Sequence, residues 1–192
     1  MTRILIASLI MAAVCFPGGG TSAQAAEGAP ARKTTEAIYR LNCGATEDYT
    51  DKAGHVWKPD TPYRDQVNWA NTTNTAGKMP IKNSDDPYIY QTEAFGDLFY
   101  DLKVPNGSYR VVLHFAETTY KWWMKGYTRE FDVLLQDKVV LPGFKPLKEA
   151  GGMGIPVVKE FKGVKATDGL IKIGLVPFID NPGICGIEIY PE

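Results

Sequence analysis

Residues 105–117 read Pro-Asn-Gly-Ser-Tyr-Arg-Val-Val-Leu-His-Phe-Ala-Glu. Within Ser108–Ala116, Tyr109, Val111, Leu113 and Phe115 fall on every second position, the period of a β-strand with one buried face. Pro105-Asn106-Gly107 is turn chemistry, because proline fixes φ and Asn-Gly tolerates positive φ. The stretch therefore predicts a hairpin that joins Asp97–Val104 to Ser108–Ala116.

The same grammar extends in both directions. Phe131, Val133 and Leu135 alternate, then turn at Gln136-Asp137 into a short strand over Lys138–Leu141. Val157–Thr167 passes through Thr167-Asp168-Gly169 into Leu170–Val176, a further hairpin. Ala37–Cys43 and Ile184–Tyr190 supply the first and last strand-like segments. No stretch after the N-terminal region holds a long 3.6-residue apolar period, so the expected class is all-β, as two packed antiparallel sheets. The composition agrees, with 8 Phe, 4 Trp and 10 Tyr beside 19 Gly and 13 Pro in 192 residues. The length fits one domain. A formal charge of -1 leaves no broad basic footprint, so nucleic acid is not an expected partner.

The first 25 residues look like an address. Arg3 is a positive start, Ile4–Phe16 an apolar run shorter than a bilayer span, and Ala23-Gln24-Ala25 a small-residue cleavage site. A secretory signal over 1–25, a flexible leader over 26–35 and one sandwich domain over 36–192 are the expected organisation. The protein is then exported, secreted or periplasmic, with no membrane span. A lipid anchor on Cys15 is disfavoured by the large Val14 before it.

Export leaves Cys43 and Cys185 where disulfides persist. A bridge between them would close a loop of about 142 residues and add on the order of 4–5 kcal/mol in the chain-entropy model. Two buried thiols that behave as small hydrophobes are the other reading.

Two long segments break the strand pattern. Tyr49–Asp86 holds Trp57, Tyr63 and Trp69, and Glu117–Glu130 holds Tyr120, Trp122, Trp123 and Tyr127. Long loops in compact domains are usually functional or disordered, and these are too aromatic for easy disorder. Adjacent Trp122 and Trp123 face opposite ways in an extended chain, so one reaches solvent if the other is buried. Rigid aromatics near carboxylates and amides suit a sugar, whose C–H faces stack on rings while its hydroxyls need donors and acceptors. Aromatic loops serve protein partners too, and an extracytoplasmic protein-interaction domain is the alternative function.

Ile38-Tyr39-Arg40-Leu41-Asn42-Cys43-Gly44 resembles the opening strand of malectin and the malectin-like carbohydrate-binding modules. Tyr90-Gln91-Thr92-Glu93 resembles their central motif, and Tyr109–Glu117 the strand that ends in Phe-Ala-Glu. Phe131-Asp132-Val133 with Val139-Val140-Leu141, Val158-Lys159-Glu160-Phe161, and the tail Asp180–Ile189 follow in the family's order. The resemblance covers about residues 38–190. It implies a lectin-like, jelly-roll type β-sandwich that binds carbohydrate without catalysis, glucose-containing oligosaccharides in malectin itself. It also implies separately encoded carbohydrate-active enzymes as partners for such a module.

The resemblance places the family's ligand aspartate on Asp180 and a loop aromatic on Trp57. The two aromatics that follow Phe-Ala-Glu in malectin fall on Thr119 and Tyr120, so one is missing here. Trp122, Trp123 or Tyr127 are the substitutes, and Trp69 or Tyr63 the remaining loop aromatic. Glu117 is divided between a sugar hydroxyl and a tie to its own loop. No Gly-x-Ser-x-Gly elbow or His-Glu-x-x-His helix is present, and no carboxylate pair can be placed as a glycosidase would need. No cofactor is expected. Calcium at Asp48, Asp51, Asp85 and Asp86 is considered and set aside, because their spacing lacks a dense oxygen loop. His55 and His114 have no partner cluster and read as surface or satisfied-core residues.

Overall fold

A computed structural model describes residues 36–63, 70–74, 79–118 and 128–192. The strands in chain order are β1 (Tyr39–Asn42), β2 (Tyr49–Thr50), β3 (Val56–Pro59), β4 (Ala70–Asn74), β5 (Thr92–Gly96), β6 (Leu98–Lys103) and β7 (Gly107–Phe115). They continue as β8 (Glu130–Leu135), β9 (Lys138–Phe144), β10 (Val157–Ala166), β11 (Leu170–Ile179), β12 (Gly183–Ile184) and β13 (Gly186–Pro191). One five-residue helix, α1 (Pro146–Ala150), starts on a proline at its first turn and stops at Gly151 with φ 75°.

Strands pair in the order β10-β7-β13-β1-β3-β2 in one sheet, β6-β11-β8-β9 in a second and β12-β5-β4 in a third. The pairings are antiparallel, apart from β1 beside β3. The fold is the expected all-β sandwich of antiparallel sheets. The two hairpins expected at residues 105–107 and 167–169 are corners instead: β6 pairs with β11 and β7 with β10 and β13, so each turn carries the chain from one sheet to another. The long Tyr49–Asp86 segment is less irregular than its sequence implied, for it contributes β2, β3 and β4. These strands are two to five residues long and interrupted by Gly54, Pro59 and Pro62, so no alternation could reveal them.

The alternation of β7 decides the core. Tyr109, Val111, Leu113 and Phe115 are all buried, and they join Ile171, Ile173 and Leu175 of β11 and Phe131, Val133 and Leu135 of β8 in one cluster. Phe115, Phe131 and Phe144 meet with ring centroids 4.9 to 6.1 Å apart. Each such side chain contributes about 1.5–3 kcal/mol by leaving water.

The other face of β7 is covered too. Val112 and His114 are buried there, beside a small cluster of Trp57, Ile89, Tyr90, Ala116 and Cys185. Its members come from four separate stretches of chain, so the end of β7 that carries Phe-Ala-Glu is enclosed on both sides.

The cysteine question resolves against a bridge: both thiols are buried and reduced. Cys43 and Cys185 are neighbours, with the Cys43 N–H donating to the Cys185 carbonyl at 2.8 Å. Cys185 lies where the chain leaves β12, paired to β5, and enters β13, paired to β7 and β1. That change of sheet turns its thiol into the outer cluster, whereas Cys43 belongs to the main core. Burial pushes the Cys185 thiol well above its usual range.

Candidate functional site

The chemistry-bearing residues gather where β5, β12 and the ends of β7, β8 and β11 meet. Glu117 lies two residues after β7, and Arg129 directly precedes β8. The Arg129 Nε donates to Glu117 Oε2 at 2.8 Å and its Nη2 donates to Glu117 Oε1 at 3.2 Å, a fork-to-fork pair. Its Nη1 donates to Glu93 Oε1, on β5. All three side chains are at most 10% exposed. Gly183 lies against this cluster, because a Cβ there would overlap the Glu93 carboxylate and the Arg129 guanidinium.

Burial pushes the Glu93 carboxyl up, against the pull of Arg129, and the charges of Glu117 and Asp180 push the same way. Burial alone would depress the Arg129 guanidinium, but Glu93 and Glu117 hold it above the usual arginine value. Glu93 Oε2 and Asn42 Nδ2 are buried and have no hydrogen-bond partner among the described residues. Thr92 Oγ1 donates to Asn42 Oδ1 at 2.7 Å, so Gln91-Thr92-Glu93 pins β5 to β1.

Asp180 lies at the far end of β11, three residues before Gly183. It is half-buried with φ 58°, a left-handed conformation in which aspartate is one of the few tolerated residues, and its Oδ1 accepts the Asn181 N–H at 2.8 Å. Its charge is felt at Glu93. Phe178, two residues earlier, is 64% exposed, the most exposed of the large apolar side chains described. Sequence reading missed Phe178, because Val-Pro-Phe-Ile looks like buried strand. It missed Arg129 as well, since arginine is almost never buried and nothing local marks the exception.

Two expected ligand contacts take other roles. Trp57 is 5% exposed and is therefore no open platform for a sugar ring. Its ring covers Gly186, stands edge-on to His114 with centroids 5.6 Å apart, and its Nε1 donates to Asp51 Oδ2 at 3.1 Å. Bare Gly186 is what lets it lie down. Glu117 gives its carboxylate to Arg129, which favours the tie across its own loop over a sugar hydroxyl. Tyr120, Trp122, Trp123, Tyr127 and Trp69 lie outside the described residues.

Three of the aspartates considered for calcium, Asp48, Asp51 and Asp86, are engaged within the protein. Asp48 pairs with Lys58, and Asp86 accepts from the Tyr49 hydroxyl at 2.5 Å and the Lys52 N–H at 3.0 Å. Among the described residues no group of three His, Cys, Asp or Glu is placed to hold a metal. Asp51 folds its own loop, accepting the Ala53 and His55 N–H groups at 3.0 and 2.8 Å. Burial would raise the Asp51 carboxyl, but hydrogen bonds from the Trp57 indole, the His55 N–H and the His55 ring outweigh it and hold it at about 2.

A pH dependence follows. The unfolded chain binds this proton first, near pH 4, so the contribution of Asp51 is complete above that value and drains away as pH falls towards 2. It amounts to about 2 kcal/mol. Thermal melts of the native chain and of Asp51→Asn, run from pH 6 to pH 2.5, are expected to converge at the acid end. Parallel curves would mean that the carboxylate is not held in this way.

His114 is satisfied in place, as a lone histidine on a sheet should be. Its Nδ1 meets the Tyr90 hydroxyl at 2.9 Å and its Nε2 meets Glu188 Oε1 at 3.0 Å.

A β-sandwich whose chemistry collects at strand ends and loops, over a core covered on both faces, has the lectin-like architecture. The sequence places it further: the malectin domain model matches residues 37–187, and the chain belongs to that family. As a malectin domain it is a non-catalytic module.

A probable LRR receptor-like serine/threonine-protein kinase of Arabidopsis thaliana is 32% identical over 111 residues, 54% of this chain and 11% of that protein. A chain in the crystal structure of plant peptide RALF23 in complex with FER and LLG2 superposes with TM-score 0.70 at 20% identity, over 81% of this chain and 48% of that one. Bacteroides uniformis beta-glucuronidase superposes with TM-score 0.69 at 19% identity, over 80% of this chain and 18% of that one. The chain thus spans about a tenth of that curated relative and less than half of either solved chain. The two solved structures speak for the fold alone.

Proposed function

We propose that this chain is an exported module that binds a carbohydrate without altering it, at the turn that carries Asp180. The observation that carries the reading is the pairing of a half-buried carboxylate with an exposed phenyl ring two residues away. The carboxylate accepts from sugar hydroxyls, and the ring offers a face to pyranose C–H groups. Tyr120, Trp122, Trp123 and Trp69 are the further stacking candidates from the sequence. Glucose-containing oligosaccharides are the favoured class through the family resemblance. Export rests on the signal-like residues 1–25, ahead of a leader over 26–35 and the domain over 36–192. Among the described residues no helix is long and apolar enough to cross a membrane.

At about 0.3 kcal/mol per heavy atom, a disaccharide of about 23 atoms gains about 7 kcal/mol, a Kd near 10 μM at best. Affinity electrophoresis through gels cast with soluble α- or β-glucan tests the site. The native chain is expected to be retarded and Asp180→Ala to migrate as in a blank gel, with melting temperatures unchanged between them. Equal retardation of the two would remove Asp180 from the site.

The second reading is a peptide or protein ligand at the same turn. It is favoured by the structural likeness to a chain solved in a complex with a plant peptide. Separately encoded carbohydrate-active enzymes belong among the partners to test.

A further inference from the structure

Beside the Asp180 turn lies a cleft of about 650 Å³ that the reading above does not use. It opens where the β8–β9 ladder slips out of register between Phe131 and Val133. The bulge puts Gly143 at φ 55°, with its N–H donating to Asp132 Oδ1 at 2.7 Å. The lack of a side chain there matters, because a Cβ would stand 3.1 Å from Glu130 Oε1 and press on the cleft wall. Leu141 and Pro142 form an apolar floor. Glu130 and Lys145, paired at 2.8 Å, form one wall, and Lys148 and Glu149 of α1 the other.

We propose that this cleft is a second saccharide subsite, which takes neutral pyranose units that extend from a sugar held at Asp180. The inference rests on the carbohydrate reading and deepens it. Three observations support it. The volume lies within the range of small-molecule sites. The lining offers acceptors on Glu130 and Glu149 and donors on Lys145 and Lys148, above an apolar floor, which is the mixture that a ring with C–H faces and a hydroxyl rim requires. Glu130 is matched by Lys145 and Glu149 by Lys159, so among the described residues Lys148 is the single cation beyond two closed pairs, short of the clamp that a uronate or phosphate requires.

Position is the third. Glu130 lies directly across the ladder from Ile179, the residue before Asp180, and Ile179 is 37% exposed. Neighbouring strands stand about 4.8 Å apart, so the rim of the cleft is one strand spacing from the Asp180 turn. A short oligosaccharide bridges that interval.

The test compares chain length. Titration calorimetry of the whole exported chain is run with maltose and maltohexaose, and with cellobiose and cellohexaose. One hexasaccharide is expected to bind at least tenfold more tightly than its disaccharide. The double variant Lys145→Ala/Lys148→Ala, altered at exposed or half-exposed positions, is expected to keep the disaccharide affinity and to lose that gain. Asp180→Ala is expected to lose both. A tenfold gain that survives in the double variant overturns the subsite and leaves the Asp180 reading standing. An equal loss for both lengths, with the melting temperature unchanged, also overturns it, since the lysines would then serve the first sugar. Silence towards all four sugars overturns the subsite together with the reading beneath it. Tighter binding of a galacturonate hexamer than of either neutral hexamer overturns the neutral assignment.

Discussion

Arg129→Met is expected to cost about 3–5 kcal/mol of folding stability, the range for removing one member of a buried ion pair. The loss does not come from the attraction of three charges as such, since a well-packed apolar replacement of such a triad can be neutral. It comes from what is left behind. Glu93 and Glu117, 1% and 6% exposed, would lose the cation that they share. Glu93 already has one oxygen without a partner among the described residues.

The sign of the pH effect separates this account from simple loss of packing. Without Arg129 the Glu93 carboxyl, already pushed up by burial, loses the charge that pulls it down, so protons bind the folded state more strongly. The deficit should then shrink as pH falls from 7 to 5. Urea titrations of the variant at both values measure it. Adding Glu93→Gln and Glu117→Gln to Arg129→Met is expected to recover part of the loss at pH 7, because the stranded charges are gone. A deficit under about 1 kcal/mol, or one that grows in acid, would mean that the cluster is solvated.

Trp57→Ala carries the second large effect, about 3–5 kcal/mol, the range for deleting a buried aromatic side chain. Trp57 is the lid of the small outer cluster. Removing it bares Gly186, takes the edge contact from His114 and deprives Asp51 of the indole donor. The residues beneath are a glycine on a ladder and a histidine already bonded to Tyr90 and Glu188, so little can move in to fill the space. Trp57→Phe keeps most of the apolar area and loses the hydrogen bond, and is expected to cost about 1–2 kcal/mol. Equilibrium unfolding of both variants checks the ranking. If Trp57→Ala left stability alone and abolished glycan binding, the ring would have to be a ligand platform after all.

Trp57, which family resemblance marks for ligand stacking, is buried and tied to Asp51. Local pattern shows why some features were legible and others not. The inward face of β7, the turn at Pro105-Asn106-Gly107 and the β8–β9 hairpin at Gln136-Asp137 are written in periodicity and turn chemistry over a few residues, whereas nothing local shows that the turn at Asp168-Gly169 changes sheet. The cover over Val112 and His114 is not, because Trp57, Ile89, Tyr90 and Cys185 arrive from distant stretches and none shows a period. The cysteines illustrate the same limit: their sheet adjacency was readable, but the change of sheet at Cys185 that parts the thiols was not. Glu117 and Arg129 stand twelve positions apart at the two ends of an aromatic segment. Only the fold shows that they hold each other and that Glu93 shares the arginine. Asp180 was marked through family order alone, whereas the exposed Phe178 two residues earlier hid inside an apolar run.

The central claim is that carbohydrate, and not a protein surface, is what the Asp180 turn recognises. A glycan array probed with the exported chain, with Asp180→Ala alongside, tests it most directly. Signals on glucose-containing oligosaccharides are expected with the native chain and are expected to vanish in the variant while its melting temperature holds. Silence across neutral and charged glycans, with a peptide captured through Asp180 instead, would contradict it.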